Sequence, residues 1–170
     1  VGELEVTGFS NFLHPVSDDL LLGLGQSADN RVKLELFDVS DFAAPVSRGV
    51  LTLGADLSWV YTAAEYDRHA FSYLVGDATD RLAIPLSGYV STDANGWVER
   101  LQLIEVRDKA EADEAAFMDA GYLSVQGLGP NEYPDGLSRS VLAGEAVFYI
   151  NGTNVFSAFW NDPYNQTGPH

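Results

Sequence analysis

The chain has 170 residues, 46% apolar and 12% aromatic, enough for one folded domain with its own core and too apolar for a disordered polypeptide. Nine Lys and Arg against twenty-five Asp and Glu give a net charge of −16, and the basic residues are scattered singly, which excludes nucleic acid and anionic membrane surfaces as partners. The absence of cysteine excludes thiol catalysis, thiolate metal sites and disulfides, and no apolar run approaches the ~20 residues that a membrane-spanning helix needs.

In chain order, short stretches rich in Val, Leu, Phe or Tyr and bounded by Gly, Asn, Asp or Pro predict strands. They fall at Leu4–Thr7, Leu20–Leu24, Val32–Val39, Ser47–Leu53, Ala70–Val75, Leu82–Leu86 and Val98–Val106, then at Tyr122–Gln126, Val141–Leu142, Ala146–Ile150 and Val155–Trp160. Turn chemistry separates them. Ser27-Ala28-Asp29-Asn30 is one turn, and Asp93-Ala94-Asn95-Gly96 and Asn151-Gly152 are hairpin signals, because Asn-Gly accepts positive φ. The segment Asp108–Gly121 breaks the pattern. It is rich in Ala and Glu and ends in Gly, so a short helix near Glu111–Ala120 is expected between two strands.

An internal repeat runs through these elements. Leu36-Phe37-Asp38-Val39-Ser40-Asp41 returns as Leu103-Ile104-Glu105-Val106-Arg107-Asp108 and again as Ala158-Phe159-Trp160-Asn161-Asp162-Pro163. The preceding strand recurs too: Leu20–Leu24, then Arg81–Leu86, then Glu145–Ile150. Each unit reads as an inner strand, a hairpin, a long third strand, a turn and an outer strand, which is the logic of a four-stranded propeller blade. The fold class expected is therefore all-β, with about three four-stranded antiparallel β-propeller blades forming part of a larger propeller. The boundaries are a partial blade at 1–8, blades at 9–55 and 56–128, and a partial blade at 137–163. Val1–Thr7 reads as the outer strand of a preceding blade, and the last blade stops after its third strand.

The stretches Gly8-Phe9-Ser10-Asn11-Phe12-Leu13-His14-Pro15, Leu20–Gly25, Lys33–Asp41, Pro45, Tyr66–Phe71 and Leu82–Pro85 carry a family resemblance. Over roughly its first 106 residues the chain resembles the C-terminal propeller domain of secreted bacterial and archaeal proteins distantly related to Trp-Asp repeat propellers. The resemblance implies a propeller fold and an exported location, extracellular, cell-surface or periplasmic, and it brings no enzymatic activity.

Chemistry-bearing residues are few. His14 and His69, with Asp67 and Ser10 or Ser72, have the residue types of a triad, but no Gly-x-Ser-x-Gly elbow supports one, and blade-stapling hydrogen bonds suit both histidines. Hard cations need several oxygens, so the Asx-rich loops holding Asp77, Asp80, Asp93 and Asn95 are the places where calcium would bind, although none has a full EF-hand pattern. Trp59, Tyr61, Tyr66, Trp97, Tyr133, Trp160 and Tyr164 are available either as a carbohydrate platform or as core filling. The function expected is a non-catalytic, exported interaction or scaffold module. A calcium-dependent adhesive or glycan-binding module, or part of a propeller enzyme completed by other blades, is the alternative. Its partners would be the remainder of its propeller or another copy of itself, and other proteins or glycans.

Overall fold

The computed structural model describes residues 2–90, 96–128 and 137–170. Among the described residues it is all β, with two single-turn 3-10 segments at Ala63–Glu65 and Arg68–Ala70. The strands form three antiparallel sheets. The first runs in order β1 (Phe9–Pro15), β2 (Leu20–Gln26), β3 (Val32–Asp38), β4 (Val46–Thr52). In the second, β5 (Trp59–Tyr61) and β6 (Ser72–Leu74) both pair with β7 (Asp80–Tyr89), followed by β8 (Trp97–Arg107) and β9 (Ala116–Ser124). The third is β10 (Ser138–Ala143), β11 (Ala146–Asn151), β12 (Asn154–Phe159) and β13 (Asp162–Thr167). No helix among the described residues is long and apolar enough to cross a membrane.

Two cores join the three sheets, and the period-2 alternation of strands decides which residue enters which core. Leu82, Ile84, Leu86, Ile104 and Val106 of the second sheet point one way, where they meet Leu20, Leu22, Leu24, Leu34 and Leu36 of the first. Ala83, Leu101, Leu103 and Leu123 point the other way, against Val147, Tyr149, Phe156 and Trp160. Being covered on both faces, β7 is apolar without interruption from Leu82 to Leu86, and β8 is buried from Glu99 to Ile104 although polar residues alternate there with leucines.

The seams fix the sheets radially. The first strand of the third sheet lies beside β6, where Ser72 Oγ donates to the Ser140 carbonyl at 3.0 Å. At the far edge the last strands meet: Gln166 of β13 accepts from the Ser124 N–H at 2.8 Å and donates to its carbonyl at 2.7 Å. First strands beside first strands and last beside last is the arrangement of propeller blades.

Several strand expectations are corrected. The helix expected near Glu111–Ala120 does not form: residues 108–115 turn, starting from Asp108 at φ 54°, and Ala116–Ser124 is the outer strand β9. A segment this short is a marginal helix in water, and pairing along the 11-residue strand β8 offers a full ladder instead. The last blade is complete, because Asp162–Thr167 supplies its fourth strand. Residues 2–7 form no strand. Instead Leu4 and Val6 line an apolar cavity of about 290 Å³ with Leu13, Leu21 and Phe37 on the outward face of the first sheet. Beneath this segment lies a buried ion pair. Lys33 Nζ donates to Glu35 Oε2 at 2.7 Å and to the Thr7 carbonyl at 2.6 Å, and Ser47 holds the other Glu35 oxygen at 2.7 Å.

A candidate ligand-binding ridge at the end of the central blade

Tyr89 closes β7 and Trp97 opens β8, so the two flank the hairpin connection symmetrically. The register places Trp59 opposite Tyr89 and Tyr89 opposite Trp97, with Tyr61, Ser87 and Glu99 in the next row. Directly opposed residues share a face of the sheet. Three aromatic residues on three neighbouring strands thus form a ladder above Tyr61, a serine and a glutamate. Trp59 is 53% exposed, Trp97 43% and Tyr89 38%, against 3% for Trp160.

The ridge is built rather than loose. The Trp59 ring lies 5.0 Å from Tyr61 and 6.1 Å from Trp97, and Tyr61 lies 6.3 Å from Trp97, all tilted by 42–46°. Such contacts contribute about 0.5–1.5 kcal/mol each beyond burial. The Trp97 indole N–H donates to Glu99 Oε1 at 3.0 Å, and the Ser87 hydroxyl donates to Glu99 Oε2 at 2.7 Å. Ser58 pins the start of β5 by donating twice to the Tyr89 carbonyl, from its N–H at 2.8 Å and its hydroxyl at 2.6 Å. The third blade adds a polar cluster. Ser138 Oγ and Tyr149 OH are 3.2 Å apart, and Asn151 Nδ2 donates to Ser138 Oγ at 3.1 Å. Burial pushes the Tyr149 hydroxyl well above the ordinary tyrosine range, and the neighbouring Glu99 and Tyr61 push the same way.

A second concavity of about 600 Å³ lies between the central and third blades and includes Arg81, Glu105, Arg107 and Glu145. Arg81 grips Glu145 through both nitrogens at 2.9 and 3.2 Å and sits 5.0 Å over the Trp160 ring. Burial raises the Glu105 carboxyl, but hydrogen bonds from Trp160 and Arg107 outweigh this and hold it below its ordinary value. These charges bond one another and staple the seam.

The expected site residues fall in different places. Asp77 is exposed in the turn before β7. Asp80 is fully buried: it accepts from Tyr73 OH at 2.7 Å and from the Gly76 N–H at 2.8 Å, and it pairs with Lys109. Asp93 and Asn95 lie outside the described residues, as does Tyr133. No group of three or more His, Asp or Glu side chains suited to a metal ion occurs among the described residues. His14 packs its ring 4.2 Å from Tyr73 and 5.3 Å from Phe71, and burial holds its pKa below the ordinary histidine value. His69 is exposed beside Asp67, whose other oxygen takes Arg139 at 2.6 Å. Of the seven aromatic residues singled out above, the structure gathers Trp59, Tyr61 and Trp97. Trp160 and Tyr164 lie at the seam with the third blade, and Tyr66 stands alone on the turn between β5 and β6. Tyr89, Ser87 and Glu99 were missed. The signal was partial: Trp97 directly follows the hairpin turn read at Asp93–Gly96, but Tyr89 lies four residues before it, so only the register pairs the two.

Comparison with known proteins agrees with the architecture. The chain is 33% identical over 132 residues to an uncharacterized protein of Archaeoglobus fulgidus, covering 78% of this chain and 19% of that protein. It is 35% identical over 71 residues to an uncharacterized protein of Methanocaldococcus jannaschii, covering 42% and 11%. The chain thus spans about a fifth or less of the length of these relatives. No solved structure matches it significantly. The model of the Beta propeller domain matches residues 1–162, nearly the whole chain, and with three stacked antiparallel sheets in the same molecule, this chain belongs to the beta propeller domain family.

Proposed function

We propose that this chain is a non-catalytic, exported propeller module that acts by binding, through the ridge of Trp59, Tyr89 and Trp97. The observation that supports the reading is the exposure of three large aromatic residues in one cross-strand ladder, anchored on a buried glutamate. Core aromatics hide their faces, whereas anchored, solvent-facing Trp and Tyr are what binding surfaces use at low entropic cost. The candidate triad residues have structural duties instead: Ser72 bonds Ser140, Asp67 holds Arg139, and His14 fills the first seam. Export rests on the resemblance to secreted propeller domains, and proteolysis of the protein on intact cells tests it. Binding is tested by retention on cell-envelope fractions, comparing wild type with Trp59→Ala. Retention that depends on Trp59, with no turnover of ester, glycoside or peptide substrates, is the expected outcome. Turnover abolished by His69→Ala at an unchanged melting temperature would overturn the non-catalytic reading.

A further inference from the structure

We infer that Asn165 is an acceptor for N-linked glycosylation; this rests on the exported reading given above, because the modification takes place outside the cytoplasm. Such an acceptor is an Asn-x-Ser/Thr triplet whose middle residue is not proline, on an accessible stretch of chain. The triplet occurs twice, as Asn151-Gly152-Thr153 and Asn165-Gln166-Thr167. The fold separates the two. Asn151 is fully buried at the end of β11, and its amide donates to Ser138 Oγ at 3.1 Å inside the polar cluster. Reaching it would require the third blade to open.

Asn165 is placed in the opposite way. It lies on β13, the outer edge strand of the third blade, and both Asn165 and Thr167 are exposed. Its backbone is off the ladder. The register holds Asp162 opposite Phe159 and Thr167 opposite Ser157, so residues 163–166 bulge opposite Ala158. Alternation along the bulge sends Gln166 to the Ser124 backbone of the central blade and turns Asn165 away from it, onto a shallow surface shared with Phe148 and Phe159. The Asn165 amide has one weak contact, to Asp162 Oδ2 at 3.4 Å, which a transferase displaces at little cost. The donor would be an oligosaccharide linked to a lipid phosphate. Asn165 Nδ2 attacks the anomeric carbon, forming the C–N bond. The bond from that carbon to the phosphate oxygen breaks, and the lipid phosphate leaves with the electron pair while the amide gives up one proton.

The test is peptide mass spectrometry of the full-length protein purified from its source cells, alongside proteolysis of intact cells. Chymotrypsin cuts after Phe159 and Trp160, so the two triplets fall in different peptides. The peptide holding Asn165 should carry a mass of at least one sugar residue, fragmenting at Asn165, and the peptide holding Asn151 should be bare. Asn165→Gln and Thr167→Ala should each abolish the added mass, and Thr167→Ser, which keeps the hydroxyl, should retain it. All three change exposed side chains and should leave the melting temperature of the unglycosylated chain unchanged, so loss of the mass is not loss of the fold. Sugar on Asn151 in place of Asn165, or sugar that survives Thr167→Ala, would overturn the assignment. If proteases reach the protein on intact cells and Asn165 is bare, the acceptor site falls and the exported reading stands. If proteases do not reach it and Asn165 is bare, both fall.

Discussion

Removing the Lys109 charge should cost this protein more than any surface substitution, because it would strand Asp80. The Asp80 carboxylate is fully buried, and Lys109 covers it from the turn after β8 while also donating to the Gly76 carbonyl at 2.7 Å. Breaking a buried pair from one side typically costs about 3–5 kcal/mol, since a charge remains out of water. Asp80 would keep the Tyr73 hydroxyl and the Gly76 N–H, so Lys109→Met should fall at the lower end, near 3 kcal/mol. For a chain of this size that is a fall of about 6–12 °C in melting temperature. Urea unfolding at pH 7, followed by tryptophan fluorescence, measures it. The double variant Lys109→Met with Asp80→Asn removes the stranded charge and should recover at least half of the loss. A Lys109→Met loss below about 0.5 kcal/mol, the range of surface substitutions, would refute the staple. Repeating the wild-type curve with millimolar calcium tests the other role considered for Asp80. A calcium-dependent rise that vanishes in Asp80→Asn would make it a metal ligand.

Three further outcomes follow from the seams and the free faces. Burial between the first and central blades raises the Glu65 carboxyl, against a smaller lowering by the Gln26 hydrogen bond. The native state therefore holds that proton more tightly than the unfolded chain, so this term stabilises below the ordinary glutamate value and is lost as pH rises through the raised one. Glu65→Gln should flatten the fall in stability across that window, and identical pH profiles would contradict the assignment. Gly121 has φ 95°, and a Cβ there would meet Pro163 at 2.8 Å, so Gly121→Ala should cost about 1–3 kcal/mol, with an unchanged denaturation midpoint as the contrary result. Leu13 and Val50 on the outward face of the first blade, and Val141, Phe148 and Phe159 on that of the third, are exposed. Light scattering at low micromolar concentration should therefore show self-association, and a monodisperse 18.4 kDa species would argue that these faces need no cover.

The strands that could be read from the sequence were those with two-sided burial or clean alternation, such as Leu20–Gln26, Val32–Asp38 and Asp80–Tyr89. Those missed had a physical reason to look unlike strands. Phe9–Pro15 mixes polar and apolar residues around a bulge and ends in proline. Trp59–Tyr61 is too short to show a period. Asp162–Thr167 (DPYNQT) is an outer edge strand, where proline and polar side chains are at home. The ridge was half legible, since Trp59, Tyr61 and Trp97 stood out by type. Their convergence needed register, which pairs β5 with the far end of β7 across the intervening excursion at 62–71. Asp80 stood out by type, but its pairing with Lys109, 29 residues away at the start of the segment 108–121 that breaks the strand pattern, was not legible in the sequence.

The exposure of the ridge on a rigid framework is tested most directly by hydroxyl-radical footprinting of the native chain, read at its three tryptophans. Trp59 and Trp97 should oxidise rapidly while Trp160, buried against the Glu105 carboxylate, stays protected until the chain unfolds globally. Protection of Trp59 and Trp97 equal to that of Trp160 would mean that the ladder is buried, and a binding surface could not be there.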